Sequence, residues 1–131
     1  KPAPAGHSFT RIIFCSGKLY WELEVERRRL NLDHIGIASL EQLYPFPEKE
    51  LLSFVRQHSA AKFVWCQEEP ANMGAWSFVA RLLSEALTEA GAASDLSYVG
   101  RPANPSPAMG NSEQHAEDQA RLIAEALERD L

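Results

Sequence analysis

Apolar positions along this chain of 131 residues alternate between two kinds of pattern. Arg11-Ile12-Ile13-Phe14-Cys15, Ile35-Gly36-Ile37-Ala38, Phe63-Val64-Trp65-Cys66 and residues 96–99 are short, nearly continuous apolar runs. Such runs are too short for helices and read as strands buried on both faces of a parallel sheet. Between and after them the apolar spacing becomes helical. Leu19, Leu23 and Leu30 share one face, as do Leu51, Leu52 and Val55. Trp76, Val79, Ala80, Leu83, Leu87 and Ala90 form a third stripe, and Ala116, Ala120, Ile123, Ala124 and Leu127 a fourth.

Local signals set the ends of these helices. Residues 31–33 break the first. Pro47 at the first helical position, followed by Glu48 and Glu50, starts the second, Gly91 stops the third, and Ser112 suits the N-cap of the fourth. Opposite charges one turn apart, Glu24/Arg28, Glu26/Arg29, Glu117/Arg121 and Glu125/Arg129, are expected on the solvent sides. Strands alternating with amphipathic helices define an α/β fold, a three-layer α/β/α sandwich around a mostly parallel sheet of about four or five strands.

The stretch from Phe63 to Trp76 compresses a strand, a turn and a helix start into few residues. The apolar run stops at Gln67-Glu68-Glu69, Pro70 is expected to end the ladder, and Asn72 and Gly74 supply turn chemistry before Trp76 opens the helix. The carboxyl ends of strands are where open α/β sheets meet ligands and partners. Two readings of the adjacent carboxylates follow. Glu68 or Glu69 caps the helix and complements its dipole, or the pair faces another chain or domain. The second makes Glu68, Glu69, Asn72, Met73 and Trp76 an interface, joined from later strand and helix ends by Arg101 and His115.

Composition narrows the function classes. Hydrophobic residues make up 45% and charged residues 24%, which suits one globular domain with its own core. Thirteen basic and eighteen acidic residues give 13 − 18 = −5 with no basic tract, which argues against nucleic acid and anionic membranes as partners. Cys15 and Cys66 lie in predicted strands without metal-ligand spacing and read as core residues in a reducing compartment, so no metal site is expected. No apolar run reaches the length of a membrane span. The opening Lys1-Pro2-Ala3-Pro4-Ala5-Gly6-His7-Ser8 resembles an inter-domain linker or a cut edge. The expected division is therefore a linker or cut edge over residues 1–9 and a domain of a longer polypeptide over 10–131.

Candidate chemistry is sparse. Ser16, Gly17 and Lys18 form a βα turn at a helix N-terminus, where a phosphate can be held, and Arg101 ends another strand on the same edge. The turn lacks the spacing of a Walker or dinucleotide motif, so a plain βα turn with an exposed lysine stands beside the anion reading. For Arg101 the alternative is an ion pair with Glu68 or Glu69. His7, His34, His58 and His115 belong to no triad, and only His115, beside the Pro-rich segment 101–110, is positioned for contact. No residue is assigned a catalytic or cofactor-binding role.

Four blocks carry a resemblance: Phe14-Cys15-Ser16-Gly17-Lys18-Leu19-Tyr20, the segment 37–47 containing Glu41-Gln42-Leu43-Tyr44-Pro45-Phe46-Pro47, the segment 64–76, and Tyr98-Val99-Gly100-Arg101-Pro102 through Gly110. In order and spacing they resemble the C-terminal domain of the E1 component of 2-oxoglutarate dehydrogenase, a transketolase C-terminal-like domain. Met73 departs from the glutamine frequent in that family. The resemblance implies a larger enzyme that decarboxylates 2-oxoglutarate with thiamine diphosphate and Mg²⁺ and passes succinyl to the lipoyl group of an E2 succinyltransferase. It implies that cofactor and metal are held by upstream E1 domains, in bacterial cytoplasm or mitochondrial matrix. This domain would then serve assembly with those domains and a second E1 subunit, support the active-site edge, and in some relatives bind a nucleotide or acyl-CoA effector. The alternatives are a 2-oxoadipate dehydrogenase domain or a free-standing binding module of the same fold.

Overall fold

The computed structural model describes residues 8–41, 46–101 and 112–128, with side chains of 112–114 outside the description. Within them four strands and four helices alternate: β1 (Arg11–Cys15), α1 (Leu19–Arg29), β2 (Ile35–Ser39), α2 (Glu48–Gln57), β3 (Lys62–Pro70), α3 (Trp76–Glu89), β4 (Ser97–Arg101) and α4 (Ser112–Ala126). All strand pairings are parallel and the order is β2-β1-β3-β4. The path from β1 to β2 runs one way along the sheet, and the path from β2 to β3 reverses it. Right-handed crossovers then require the intervening helices to cover opposite faces. Accordingly α1 and α4 pack on one face, over Ile13, Cys15, Val64, Cys66 and Val99, and α2 and α3 on the other, over Ile12, Phe14, Phe63 and Trp65.

Every residue of β1 is buried, as a central strand covered on both faces requires. Phe14 stacks on Phe63 with ring centroids 5.8 Å apart and meets the edge of Phe54. Arg11, at the head of β1, is also buried. Its guanidinium donates to the Ala126 carbonyl at 2.7 Å and pairs with Glu128 at 2.8 Å, so a strand residue satisfies the carboxyl end of α4.

Several expectations need correction. β3 does not stop at Cys66. It continues to Pro70 through an irregularity between Cys66 and Pro70, and Pro70 pairs with Arg101 on β4. A bulge lets the strand pass a residue that has no N–H to give. Glu24 is not on a solvent face: it is buried beside Arg27 and Arg28, 2.9 and 3.0 Å away. The core stripe of α4 runs through Leu122, Ala124, Ala126 and Leu127, whereas Ala116 and Ala120 are exposed. On the same helix Arg121 lies nearest Asp118, at 3.7 Å, rather than pairing with Glu117. Pro47 is the N-cap of α2, one residue before the first helical position. His58 is half-buried between Phe9 and Phe54. The Ser112 side chain, His7, Arg129 and segment 102–111 lie outside the described residues.

Candidate functional site

Because the chain reverses direction at β1, the connections leaving β1 and β3 diverge and open a crevice between their carboxyl ends. β1 delivers Ser16, Gly17 and Lys18 to that crevice, and Gly17 has a φ of 67°, which glycine adopts without strain. β3 delivers Glu68. Lys18 Nζ lies 2.8 Å from Glu68 and 2.9 Å from Glu22 on the first turn of α1. Gln119 of α4 donates to both carboxylates, at 3.0 Å to Glu68 and 3.2 Å to Glu22. Lys18, Glu22, Gln119 and Glu68 thus form a closed ring that ties α1, β3 and α4 together across the crevice.

The ring's charges stabilise one another. The hydrogen bonds that it donates to Glu22 and Glu68 push the Lys18 ammonium well above its usual range. Burial pushes the Glu22 carboxyl up, but the bonds from Lys18 and Gln119 and the lysine's charge prevail, and its pKa is lowered. The neighbouring turn is also occupied. The Gly17 N–H donates to Glu41 Oε2 at 3.3 Å, and the Ser39 hydroxyl bonds the same carboxylate. A phosphate would have to displace Glu41 and compete with Glu22 and Glu68 for Lys18. Across the whole edge, Lys18 and Arg101 face Glu22, Glu41, Glu68 and Glu69, a balance of 2 − 4 = −2 that opposes an incoming anion.

The turn after β3 is organised by a residue that the sequence left unremarked. Gln67 is buried, 4% exposed. Its Oε1 accepts from the Trp65 indole N–H and from the Trp76 backbone N–H, both at 2.9 Å, while its Nε2 lies 3.1, 2.9 and 2.8 Å from the carbonyls of Glu69, Pro70 and Met73. This amide, rather than Glu68 or Glu69, satisfies the first turn of α3. Gly74, at a φ of 67°, lies so close to Glu69 that an added Cβ would stand 2.9 Å from its carboxylate. Glu69, Asn72 and Met73 remain on the surface, and Met73 is 39% exposed.

β4 closes the edge. Trp76 leans on Tyr98 at 4.9 Å, and the Tyr98 hydroxyl donates to the Arg101 carbonyl at 2.9 Å. That carbonyl also accepts from the Ala71 N–H at 3.0 Å. Burial raises the Tyr98 pKa, so the hydroxyl keeps its proton. The Arg101 guanidinium turns toward His115, with Nη2 at 3.3 Å from Nδ1, and makes no ion pair with Glu68 or Glu69. Among the predicted residues, then, Glu68 and Lys18 meet directly, as do Arg101 and His115. Lys18 and Arg101 belong to separate groups, both of which α4 reaches, through Gln119 and through His115. Gln67, Glu22, Glu41, Tyr98 and Gln119 carry the edge's hydrogen bonding without a local sequence signature.

The buried cysteines sit below this edge. Burial, with a smaller effect of Glu41, pushes the Cys15 thiol up to about 12, and burial also raises that of Cys66. Neither is a nucleophile at neutral pH. No cluster of three or more His, Cys, Asp or Glu suited to a metal occurs among the described residues. A cavity of about 130 Å³ between α3 and the start of β4, lined by Leu87, Thr88, Ala92, Ser94 and Asp95, is far too small for a cofactor.

Strand order and crevice define a doubly wound α/β domain whose switch point is filled by its own ion pairs. The chain belongs to the 2-oxoglutarate dehydrogenase C-terminal family, whose model matches residues 3–127. It is 44% identical over 126 residues to the 2-oxoglutarate dehydrogenase E1 component of Rickettsia prowazekii (strain Madrid E), covering 95% of this chain and 13% of that protein. It is 42% identical over 118 residues to the E1 component of Brucella ovis (strain ATCC 25840 / 63/290 / NCTC 10512), covering 89% of this chain and 12% of that protein. The chain therefore spans only a small fraction of relatives that are oxidoreductases. No helix among the described residues is long and apolar enough to cross a membrane.

Proposed function

We propose that this chain is the non-catalytic C-terminal domain of a thiamine diphosphate-dependent 2-oxoglutarate dehydrogenase E1, and that it serves assembly rather than chemistry. The observation that carries the reading is the match of the C-terminal family model to residues 3–127, set against relatives of which the chain covers 13%. The described residues do not fit a thiamine diphosphate. The βα turn that would take a diphosphate has its amide bonded to Glu41 and its lysine shared between Glu22 and Glu68. No step is therefore derived through the cofactor. Thiamine diphosphate and Mg²⁺ belong to upstream domains, which bind and decarboxylate 2-oxoglutarate and pass succinyl to the E2 lipoyl group.

What this domain supplies is a firm edge. Gln67 and Tyr98 fix the turn 68–76 and the end of β4, leaving Glu69, Asn72, Met73 and the Arg101–His115 pair to meet the upstream domains or a second E1 subunit. Sedimentation of the full-length enzyme tests this. Glu69→Lys with Met73→Asp is expected to weaken assembly while leaving the isolated domain's stability within about 1 kcal/mol, as is usual at exposed positions. Normal assembly of that double variant would remove the edge from the interface. In parallel, calorimetric titration of the isolated domain with thiamine diphosphate and Mg²⁺ is expected to give no binding heat.

A further inference from the structure

Helix α1 carries apolar side chains on two opposite faces. Leu19 and Leu23 are buried against the sheet at 1% and 0% exposure, whereas Trp21 and Val25 are 65% and 64% exposed. At about 100° per residue the second pair points roughly 180° away from the first. The Trp21 ring is fixed by an edge contact with Tyr20, centroids 5.0 Å apart. A helix apolar on two faces is normal where both are covered, yet in this domain only one is.

We infer that the Trp21–Val25 ridge is a second docking surface, and that its occupant is an upstream domain of the same polypeptide. The inference rests on the reading that this chain is the C-terminal part of a longer E1. Area decides between occupants. The two side chains expose on the order of 250 Å² together, against about 800 Å² per partner in a stable bimolecular interface. A free second copy gains too little from this ridge to offset its lost translational freedom. A tethered neighbour is already held at high effective concentration, so a small apolar contact suffices. Charge agrees: the nearby Arg28 and Arg29 are paired with Glu24 and Glu26, so the ridge lacks the uncompensated charge that would select a strongly charged partner. Trp21 lies one turn from Lys18 and next to Glu22, so the ridge adjoins the ring, whereas Met73 belongs to the turn between β3 and α3.

Hydroxyl-radical footprinting read by mass spectrometry tests the ridge. Oxidation of Trp21 and Met73 is compared between the full-length enzyme and the isolated chain, after a cooperative melt has established that the isolated chain is folded. Several-fold slower oxidation of Trp21 in the full-length enzyme is expected, with no dependence on concentration in the isolated chain. Equal Trp21 rates in the two proteins overturn the inference, and protection of Met73 in the same sample shows that the carboxyl-edge interface survives that failure. Protection of Trp21 without Met73 supports the ridge and removes the edge. Protection that appears in the isolated chain as its concentration rises assigns the ridge to a second copy and overturns the proposed occupant.

Discussion

Gln67→Met is the most informative perturbation of this domain, because it keeps side-chain volume and removes one hub of hydrogen bonds. The buried amide joins the Trp65 indole, the Trp76 N–H and the carbonyls of Pro70 and Met73. Its orientation is fixed by these partners, since the oxygen faces two donors and the nitrogen faces carbonyls. In the variant two N–H donors lose their acceptor. Each costs about 1–3 kcal/mol if it stays dry, and water entering through the exposed turn 72–74 brings the sum toward about 3 kcal/mol. For a domain of this size that lowers Tm by roughly 12 °C. Denaturant unfolding followed by tryptophan fluorescence measures the loss directly, since Trp65 and Trp76 flank the site. A Gln67→Met protein within about 0.5 kcal/mol of wild type would refute the hub.

Gln67→Glu separates shape from hydrogen bonding through pH. The new carboxyl must keep a proton to donate to the Pro70 or Met73 carbonyl, so its pKa in the folded state is raised above about 4.3, the unfolded value. Stability is then retained below about pH 4.3 and lost as pH rises toward the folded pKa, at about 1.4 kcal/mol per unit. A flat pH dependence for this variant relative to wild type would mean that the carbonyls do not require a donor.

Two further predictions concern buried groups. Arg27, against a smaller opposing effect of burial, holds the Glu24 carboxyl below the usual carboxylate range, with Arg28 assisting, so its contribution is present above about pH 4.3, the unfolded value, and lost as pH falls through the lowered folded pKa; Glu24→Gln is expected to flatten the acid limb of a stability–pH curve and to cost about 1–2 kcal/mol at pH 7, and an unchanged acid limb would count against the pairing. Cys15 and Cys66, both 0% exposed, are expected to resist maleimide at pH 7.5 in the native domain and to react fully in guanidinium, so rapid native labelling would show that the sheet opens at its carboxyl edge.

What the sequence revealed depended on whether a signal was local. β1 and the stripe of Val79, Leu83 and Leu87 on α3 were legible because burial on both faces and helical periodicity leave marks within a few residues. Gly91 ended α3 as its position suggested, at a φ of 76°. The run after Cys66 was misread because charge and proline usually end a strand, whereas a bulge here carries the pairing to Pro70. On α4 an alanine stripe fits more than one rotation, and the chosen one depends on Leu122 reaching the sheet and on Arg11, 115 positions away, meeting the Ala126 carbonyl. Gln67 was overlooked for a similar reason. A glutamine beside two glutamates looks solvated, and only the returning Met73 and Trp76 backbone makes it a hub.

The same contrast bears on what the edge can do. In a doubly wound fold the switch-point crevice ordinarily admits a ligand because its strand ends present free amides and unpaired charge. Here Gly17 meets Glu41, Lys18 meets Glu22 one turn along and Glu68 on β3, and Gln119 spans both carboxylates, while Arg101 Nε and Gln119 Oε1 are buried without a partner among the described residues. The Lys18 side chain is 70% exposed, so its ion pairs contribute only about 0–1 kcal/mol each, and what the ring chiefly withdraws from an incoming ligand is unpaired charge. An edge so filled offers firm surface instead of a pocket, and the apolar groups left outside it, Met73, Phe78, Trp21 and Val25, are the ones that gain from contact with protein. Under the proposed assembly role, recognition would run through these exposed side chains around the crevice rather than through the crevice itself.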